Sequence, residues 1–321
     1  MSNILFTADW HIKLGQKNVP AGWASRRYLE FFHQVHNIKC DLHIIGGDLF
    51  DRLPTMEELE LFFIFIANIK VPTIIFDGNH EATKKNQTFF DFLQGVTQNL
   101  NPLVEVQTNT TFYPGHDFWI LPYCDLHKKS SIKEIQSMTE YPVFTHVRGE
   151  IPPHVKPEID LDLLKDFPVV FAGDLHSHSN TQRNIVYPVS PMTTSFHRNE
   201  LTTGYLMIDG NNWNWKFHEF ELPQLIRKTV QSTDEMIATD YHHTIYELEG
   251  DMQDLAGVKN SELLDKKVVK RSSEATLLLD SSMSLEDELV EYLTYILELD
   301  ERKISNVIGT YHDYSQKIAM E

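Results

Sequence analysis

The sequence predicts an α/β fold, and two observations support this prediction. Through the first two-thirds of the 321-residue chain, short apolar runs typical of buried strands alternate with segments whose apolar residues recur at helical spacing. Five of the apolar runs end at aspartate, asparagine or histidine. Because open α/β sheets bind ligands just beyond the carboxyl ends of their strands, this pattern predicts a polar site at one edge of the sheet.

The first two strand-like runs each lead to a pair of acidic or imidazole side chains. ILFTADWH ends at Asp9 and His11, and DLHIIGGDLFD ends at Asp48 and Asp51. The helical segment SRRYLEFFHQVHNIKC lies between them, and MEELELFFIFIANIK follows with an apolar stripe at helical spacing. The start of the chain is therefore predicted as strand, helix, strand and helix.

Three further apolar runs, PTIIFDGNHE, YPVFTHVRGE and FPVVFAGDLHSH, end in the same way. Their strand-end residues are Asn79, His80 and Glu81, then His146, then Asp174, His176 and His178. A single aspartate or histidine in such a place is most often a turn, a cap or a packed core residue. Turns favour Gly, Asn, Pro and Ser, so aspartate and histidine recurring at several strand ends indicate a site.

The pair His176 and His178 indicates a metal. Side chains two residues apart in an extended segment point to the same side, so both imidazoles are expected to hold one object. With the other strand-end residues they form a set of carboxylate, amide and imidazole ligands without thiolates, which suits Mn, Fe or Zn. The two cysteines, Cys40 and Cys124, are expected to be structural thiols in a reducing compartment.

The composition is that of a globular protein, with 41% hydrophobic and 23% charged residues. The most apolar run, LFFIFIANI, is too short to cross a bilayer and no signal peptide precedes it, so a soluble cytoplasmic protein without a membrane partner is expected. The net charge of −18 repels nucleic acid, so a polyanionic substrate has to be held by bound cations, a basic patch or a partner. Carboxylates gathered around metal ions would reverse the local field once the metals are bound.

The ordered set Asp-x-His, Gly-Asp-x-x-Asp, Gly-Asn-His-Glu, His and His-x-His resembles the calcineurin-like metallophosphoesterases. The resemblance implies a four-layer α-β-β-α sandwich with two divalent metal ions, for which Mn²⁺ is expected and Mg²⁺ is the alternative. It implies that Asp9, His11 and His178 hold one metal ion, that Asn79, His146 and His176 hold the other, and that Asp48 bridges them. His80 would donate a hydrogen bond or proton to the leaving oxygen. Asp51 lies where a family aspartate orients this histidine.

Four stretches, TADWHIKLG, GDLFD, THVRGE and VYPVSPMTTSFHRNE, are most similar to the SbcD-type nuclease subunits of DNA repair and recombination, including phage relatives. The similarity implies a DNA exonuclease or endonuclease subunit that acts with an SbcC-type, SMC-like ATPase, and it leaves a homodimer open. It implies a nuclease domain over residues 1–221, a small α+β capping domain over 222–280 and a helical partner-binding tail over 281–321. GYLMIDGNNWNWKFHEFEL predicts the hairpin that closes the nuclease domain, with its turn at Asp209 to Asn212.

Two helical patterns are predicted in the tail. SLEDELVEYLTYILEL begins at Ser284 with Asp287 three residues later, which is a capping-box layout, and KISNVIGTYHDYSQKI carries a second apolar stripe. Their apolar faces would bind the ATPase or pack on the chain's own capping domain, and the sequence leaves both open.

Some residues depart from the family pattern and keep other functions open. In the last motif Asp174 replaces one family histidine and is not among the implied ligands. Arg52 is similar to an arginine by which protein phosphatases clamp phosphate, although Leu53 and Pro54 replace their glycine. His197 and Arg198 are left open as substrate contacts. The alternatives to a nuclease are a phosphomonoesterase or nucleotidase on the same site, and a non-catalytic scaffold that has lost its metals.

Overall fold

Two β-sheets that face each other form the centre of the fold. The computed structural model describes residues 3–84, 87–269, 283–297 and 299–318. The strands are β1 Asn3–Thr7, β2 Leu42–Gly46, β3 Thr73–Phe76, β4 Ala82–Lys84, β5 Gln87–Thr88, β6 Val104–Gln107, β7 Thr111–Tyr113, β8 Phe118–Leu121, β9 Val143–His146, β10 Val170–Gly173, β11 Ile185–Val186, β12 Gly204–Asp209, β13 Trp215–Glu219, β14 Leu225–Val230, β15 His243–Gly250 and β16 Leu264–Val269. The helices are α1 Ala21–Asn37, α2 Met56–Ala67, α3 Phe90–Leu100, α4 Tyr123–Leu126, α5 Lys129–Ile135, α6 Met252–Gly257, α7 Leu285–Glu291 and α8 Glu301–Ile318.

The six-stranded sheet has the strand order β13-β12-β1-β2-β3-β6. Strands β1, β2, β3 and β6 run parallel, and β12 pairs antiparallel with both β1 and β13. The predicted hairpin is confirmed by the pairing of β12 with β13, where Ile208 lies opposite Trp215. Along β1, Ile4 and Phe6 face one hydrophobic cluster and Leu5 faces another, so both faces of the sheet are buried.

The five-stranded sheet has the order β11-β10-β9-β8-β7, and its strands are parallel except for β7. One hydrophobic cluster joins the two sheets, with Phe6 and Ile44 of the first packing among Phe118, Phe144 and Phe171 of the second. The ring centroids of Phe6 and Phe144 are 5.3 Å apart in an edge-to-face contact. This cluster fills the interior of the sandwich.

Helices cover the outer face of each sheet. A second cluster packs Phe31 of α1, Phe62 of α2 and Leu93 of α3 on the six-stranded sheet. A third cluster packs Leu126 and Ile132, from α4 and α5, on the five-stranded sheet. The predicted four-layer α-β-β-α sandwich is therefore confirmed.

A small sheet of order β14-β15-β16 follows the sandwich in the chain, and β14 pairs parallel with β15. The chain divides into one compact unit of residues 1–248 and 259–266 and another of residues 249–258 and 267–321. The first unit includes β14 and most of β15, so the predicted boundary at residue 222 does not coincide with this division. The division into three domains stays a prediction.

The second compact unit contains α6, α7 and α8, with a π-helix at Tyr292–Ile296 between the last two. Ser284 caps α7, and its side chain and that of Asp287 form the predicted capping box. Both helical patterns predicted in the tail are thus confirmed as helices. Within the described ranges, no helix has the length and apolar character needed to cross a membrane.

Candidate metal centre

The strand-end residues gather at one edge of the sandwich. The six-stranded sheet contributes Asp9 and His11 after β1, Asp48 after β2, and Asn79 and His80 after β3. The five-stranded sheet contributes His146 at the end of β9, and Asp174 and His176 after β10. These five strands are parallel within each sheet, so their carboxyl ends meet and bring the side chains together.

Asp9, His11 and His176 form the first of two groups. His11 Nε2 lies 3.0 Å from His176 Nε2, and His176 Nε2 lies 4.0 Å from Asp9 Oδ1. Burial lowers the pKa of His11 to about 3, despite the nearby Asp48 carboxylate. The His11 imidazole is therefore neutral at physiological pH and has a lone pair available for a cation.

Asn79 and His146 form the second group, together with Asp48. His146 Nε2 lies 3.0 Å from Asn79 Oδ1 and 3.5 Å from Asp48 Oδ1. His146 Nδ1 lies 2.9 Å from the Gly46 carbonyl oxygen and donates to it, which leaves Nε2 toward the group. Asp48 also reaches the first group, because its Oδ2 lies 3.7 Å from His11 Nε2.

Acceptor atoms face one another in both groups, and this arrangement fits cations. Asp9 Oδ2 and His11 Nδ1 are buried without a hydrogen-bond partner among the described residues. Asn79 Oδ1 faces acceptor atoms. A cation between them would satisfy this oxygen. Turning the side-chain amide over would also do so, because its nitrogen would then donate to Asp48 Oδ2 at 3.1 Å. Unpaired buried polar atoms are costly, and carboxylate, amide and imidazole donors suit divalent metals. Asp9, His11 and His176 lie close enough together to hold one ion.

The carboxylates of the site attract positive charge. Burial raises the pKa of Asp9 to about 6. Burial would also raise the pKa of Asp48, but His146, His11 and His80 outweigh it and hold that pKa well below its usual range. Burial disfavours a charged His146, yet Asp48 and other carboxylates raise its pKa well above the ordinary value. A proton on His146 or a bound cation can supply the charge that these carboxylates require.

Four residues of the site have a left-handed backbone. The φ angles are 58° at Asp9, 45° at His11, 49° at Asp48 and 98° at Asp174. A residue other than glycine pays on the order of 1–3 kcal/mol for this conformation, and such residues cluster at functional sites. All four lie just beyond a strand, so the strained turns are part of how the site is built.

Glu81 connects the loops that carry the site. Its buried carboxylate accepts hydrogen bonds from the backbone N–H groups of Asp48 at 2.9 Å, Phe50 at 3.0 Å and Gly78 at 2.8 Å. Gly78 leaves no room for a side chain, because a Cβ atom there would collide with Asp48. Burial raises the pKa of Glu81 to about 8, and the Asp48 carboxylate adds to this. Glu81 therefore fixes the backbone of Asp48.

Glu81→Gln is expected to lower the free energy of unfolding by about 2–3 kcal/mol, because a buried donor would face a backbone donor. A glutamine offers one acceptor oxygen, and its amide nitrogen would point at one of the three N–H groups. Urea unfolding at a pH above the Glu81 pKa measures this loss, with the exposed Glu134→Gln on α5 as the control. Equal stability of the two variants would contradict the role of Glu81.

His80 lies at the exposed side of the site. Its Nδ1 lies 2.5 Å from the backbone oxygen of Asp51 and donates to it, while its Nε2 lies 3.8 Å from Asp48 Oδ2. The Asp51 carboxylate pairs with Lys13, with 2.6 Å between Oδ2 and Nζ. The expected orientation of His80 by Asp51 is therefore made through the Asp51 carbonyl group, because its carboxylate is engaged elsewhere.

His178 joins neither group that the described residues form, and its expected metal role stays a prediction. Its Nδ1 lies 2.7 Å from the backbone oxygen of Tyr187, and its ring stacks on Phe217 with 4.8 Å between centroids. A 3₁₀ turn begins at His178, directly after the extended Ser177. Since the segment is not extended through both histidines, His176 and His178 do not point to the same side.

The expected neighbours of His176 also differ from those that the structure gives it. The resemblance groups it with Asn79 and His146, whereas its Nε2 lies beside His11 and Asp9. His176 thus takes the position in the first group that was expected for His178.

Asp174 is a residue of the site that sequence reasoning set aside. Its Oδ1 lies 3.9 Å from His146 Nε2, and its carboxylate is held by Arg148 through contacts of 3.0 and 3.1 Å. Its backbone N–H donates to Asp9 Oδ1 at 3.0 Å. The signal for Asp174 was its place directly after a strand, where the family has a histidine.

Arg52 does not reach the site. Its guanidinium group contacts the buried Glu58 carboxylate, with 3.1 Å between Nη1 and each carboxylate oxygen. Glu58 also completes the capping box with Thr55 that begins α2. Arg52 is thus bound at the start of α2, so it is not available to clamp a phosphate as the similar arginine of protein phosphatases does.

A cleft of about 280 Å³ extends from His176 to His197. Hydroxyl groups line much of it, including those of Ser177 and Thr194. Arg198, which the sequence also left open, contacts the buried Glu247 at 2.8 Å. A larger cavity of about 860 Å³ lies at the N-terminal end of α1 and is lined by none of the metal-site residues.

Comparisons with known proteins agree with this chemistry. The profile of a family described as calcineurin-like phosphoesterase matches residues 2–200. A protein of Escherichia phage T5 named probable exonuclease subunit 1 is 39% identical over an alignment that covers 97% of this chain and 98% of that protein.

Similar solved structures come from thermophiles and an archaeon. A Thermus thermophilus protein has a TM-score of 0.44 at 12% identity, covering 68% of this chain and 98% of its own. An archaeal phosphodiesterase has a TM-score of 0.37 at 12% identity, covering 67% and 97%. A hypothetical protein of Pyrococcus horikoshii has a TM-score of 0.36 at 11% identity, covering 69% and 89%.

Proposed function

The chain belongs to the calcineurin-like phosphoesterase family, and from this premise we propose that it is a two-metal DNA nuclease subunit. The proposal rests chiefly on one observation, the convergence of carboxylate, amide and imidazole acceptors from five strand ends on one buried edge. The exonuclease interpretation comes from the T5 relative, which is named an exonuclease subunit. The biological setting we propose is DNA recombination, repair or degradation.

We assign Asp9, His11 and His176 to the first metal position and Asn79 and His146 to the second. Asp48 would be shared, because its two oxygens face different groups. Two divalent cations in such a site supply a water nucleophile at neutral pH and stabilise the charge on the phosphate. We expect Mn²⁺, with Mg²⁺ as the alternative.

The chain's own groups orient the substrate and move the proton. His80 Nδ1–H is held by the Asp51 carbonyl oxygen, so Nε2, which lies 3.8 Å from Asp48 Oδ2, is the atom that faces the site. A proton on Nε2 can pass to the leaving oxygen of the phosphodiester, which is general acid catalysis. Lys13 beside Asp51 brings a positive side chain near this entrance.

Two alternative functions of this site, a phosphomonoesterase and a non-catalytic scaffold, can be tested against the nuclease. A phosphomonoesterase would use the same cations, although Arg52 is bound to Glu58 and is not available as a clamp. A non-catalytic scaffold is opposed by the complete set of ligand side chains in the two groups. The three functions differ in substrate and in metal content.

Hydrolysis assays on the purified chain with Mn²⁺ distinguish these functions, using end-labelled DNA and a small phosphate monoester as the two substrates. DNA cleavage that is lost in His80→Ala supports the nuclease and excludes a contaminating enzyme. Monoester turnover with intact DNA would support the phosphatase instead. A chain that binds no metal and cleaves neither substrate would support the scaffold.

We also propose a homodimer through an apolar face on α2 and α3. Four apolar side chains on this face are largely exposed to solvent. The exposed fractions are 76% for Met56, 44% for Ile64, 66% for Phe92 and 45% for Leu100. Contiguous apolar surface of this kind marks an interaction site. Two copies can pair such helix faces about a twofold axis as a four-helix bundle.

Ile64→Glu is expected to shift the chain from dimer to monomer, weakening association at least about 100-fold, because two buried charges would meet at a twofold interface. Sedimentation velocity over a concentration series measures the dissociation constant. Leu29→Glu on α1 is the control, since Leu29 is 43% exposed and is not part of the face. A monomeric wild-type chain would contradict the homodimer.

We propose that the helical tail binds an SbcC-type ATPase. Apolar side chains of this segment are exposed, among them Leu285, Tyr295 and Leu297. Apolar positions at helical spacing are typical of a helix that docks on a partner helix or groove. The ATPase would contribute the DNA-binding surface that an acidic chain lacks.

Truncation after residue 280 is expected to abolish complex formation with the ATPase while leaving the metal content of the chain unchanged. Copurification of the two subunits and elemental analysis of the truncated chain measure the two effects. Retained complex formation would show that the tail is not the docking segment.

A further inference from the structure

The backbone groups of Asp9 and His11 have two different kinds of hydrogen-bond partner. Asp9 N–H donates to the Gly47 carbonyl oxygen at 3.0 Å, in the chain beyond β2. His11 N–H donates to the Asp48 carbonyl oxygen at 2.9 Å. The carbonyl group of each residue instead accepts a hydrogen bond from a buried side-chain hydroxyl group. Two hydroxyl groups thus complete the hydrogen bonding of a turn that is left-handed at both residues.

Tyr28 of α1 supplies the hydroxyl group for His11. This hydroxyl donates to the His11 carbonyl oxygen at 2.6 Å and accepts from the Lys13 N–H at 3.1 Å. The tyrosine is 1% exposed, and the guanidinium carbon of Arg27 lies 5.4 Å from the centre of its ring. Because the ring is packed in this way, its hydroxyl group holds the chain on both sides of Ile12.

Ser190 supplies the hydroxyl group for Asp9. Its Oγ lies 2.7 Å from the carbonyl oxygen of Asp9 and 2.7 Å from that of Met192, so one proton is shared between the two. Ser190 is 3% exposed. Val189, directly before it, has a φ angle of 82°, which is a true outlier for a β-branched residue. Strain of this kind persists only where the surrounding structure fixes it, and it clusters at functional sites.

We propose that Tyr28 and Ser190 are positioning residues whose hydroxyl groups hold His11 and Asp9 for the first metal position. This inference rests on the proposed two-metal site. It also gives a role to the stretch VYPVSPMTTSFHRNE, residues 186–200, which contains Ser190. Site residues need support that holds them within about 0.5 Å of the productive geometry, and hydrogen bonds from outside the ligand set commonly provide it.

Removal of either hydroxyl group would leave a buried carbonyl oxygen without its donor. A buried acceptor without a partner is costly, so the turn would shift until the oxygen found water or another donor. Because the ligand side chains belong to the same two residues, Asp9 and His11, such a shift moves their ligand atoms away from the first position. Asn79 and His146 follow other strands, so the second position would keep its geometry.

Equilibrium dialysis of the metal-free chain against Mn²⁺, followed by elemental analysis, tests this proposal without any substrate. Tyr28→Phe and Ser190→Ala each remove one hydroxyl group and change little else in the shape of the side chain. We expect each variant to weaken one of the two Mn²⁺ equivalents by about 10–100-fold, as changes outside the ligand set do, and to leave the other unchanged. Ser190→Thr keeps a hydroxyl group and should bind both equivalents with wild-type affinity.

Two buried hydroxyl groups outside the site provide matched controls. Tyr246 is a buried tyrosine whose hydroxyl donates to the Ile237 carbonyl oxygen at 2.8 Å. Ser131 is a buried serine of α5 whose hydroxyl lies 3.4 Å from a carboxylate oxygen of Asp125. Tyr246→Phe and Ser131→Ala should lower the unfolding temperature of the metal-free chain as the test variants do, and they should leave both Mn²⁺ equivalents unchanged.

The outcomes separate this proposal from the proposed function. Wild-type affinity for both equivalents in Tyr28→Phe or in Ser190→Ala would overturn the role of that residue and leave the two-metal site standing. Equal weakening of both equivalents, with the same loss in the control variants, would also overturn the positioning role, because the effect would then come from the fold. A wild-type chain that binds no metal would overturn both proposals.

Discussion

Asp48→Asn is expected to lower DNA hydrolysis by about 1,000-fold and to reduce bound metal from two ions per chain to one or none. The two Asp48 oxygens face different groups, with Oδ2 3.7 Å from His11 Nε2 and Oδ1 3.5 Å from His146 Nε2. Asparagine keeps the size and supplies one oxygen, so its amide nitrogen must point at one of the two positions. Loss of metal stabilisation on the order of 4 kcal/mol gives the expected rate loss, since each 1.36 kcal/mol is about tenfold.

Single-turnover cleavage of end-labelled DNA and elemental analysis of the same preparation measure this prediction. Asp162→Asn is the matched control, since Asp162 is an exposed aspartate that pairs with Arg183. Thermal unfolding of the metal-free variants separates a lost site from a lost fold. Two bound metals with a rate within about tenfold of wild type would contradict the shared role of Asp48.

The position of the site was predictable because it follows from periodicity. Apolar runs such as those before Asp9 and Asp48 have to be buried strands, and parallel strands bring their carboxyl ends to one edge. The sequence order of strand and helix also predicts that each strand returns parallel to the last one. Asp9, Asp48, Asn79 and His146 could therefore be placed together without knowledge of any contact.

The positions of the His176 and His178 side chains were not predictable from spacing. Side chains two residues apart lie on the same face only while the backbone stays extended. Here a 3₁₀ turn begins at His178. The ring of His178 instead gains a stacking contact with Phe217, which lies far away in sequence on β13. A single turn of backbone therefore leaves His176 beside His11 and Asp9 and carries the ring of His178 away from them.

The partner of His80 illustrates a second limit. Sequence can place Asp51 near His80, yet it does not say whether the carboxylate or the backbone carbonyl makes the contact. Lys13 decides the matter, because its ammonium group takes up the Asp51 carboxylate at 2.6 Å. Such a choice depends on a third residue from another loop, which no local pattern records.

His80→Ala is expected to lower DNA hydrolysis by about 100–10,000-fold and to leave two metal ions bound. The geometry alone allows another role, because His11, Asp48 and His80 also lie close enough together to hold an ion. Two features favour the acid. His80 is exposed at the entrance, and its Nδ1–H is fixed by the Asp51 carbonyl oxygen, which leaves Nε2 to carry the transferred proton. Unchanged metal content in His80→Ala would show that His80 acts as a general acid and is not a metal ligand.

The leaving group provides the sharper measurement. If Nε2 protonates the leaving oxygen, a nitrophenyl phosphodiester, whose leaving group needs no proton, should lose much less activity in His80→Ala than DNA does. His80→Asn can keep a hydrogen bond to Asp51 and has no proton to transfer, so it should behave as His80→Ala does. His33→Ala on α1 is the control histidine and should match wild type on both substrates. An equal loss of activity on both substrates would instead indicate that His80 binds the phosphate. The strength of a binding contact does not depend on the basicity of the leaving oxygen.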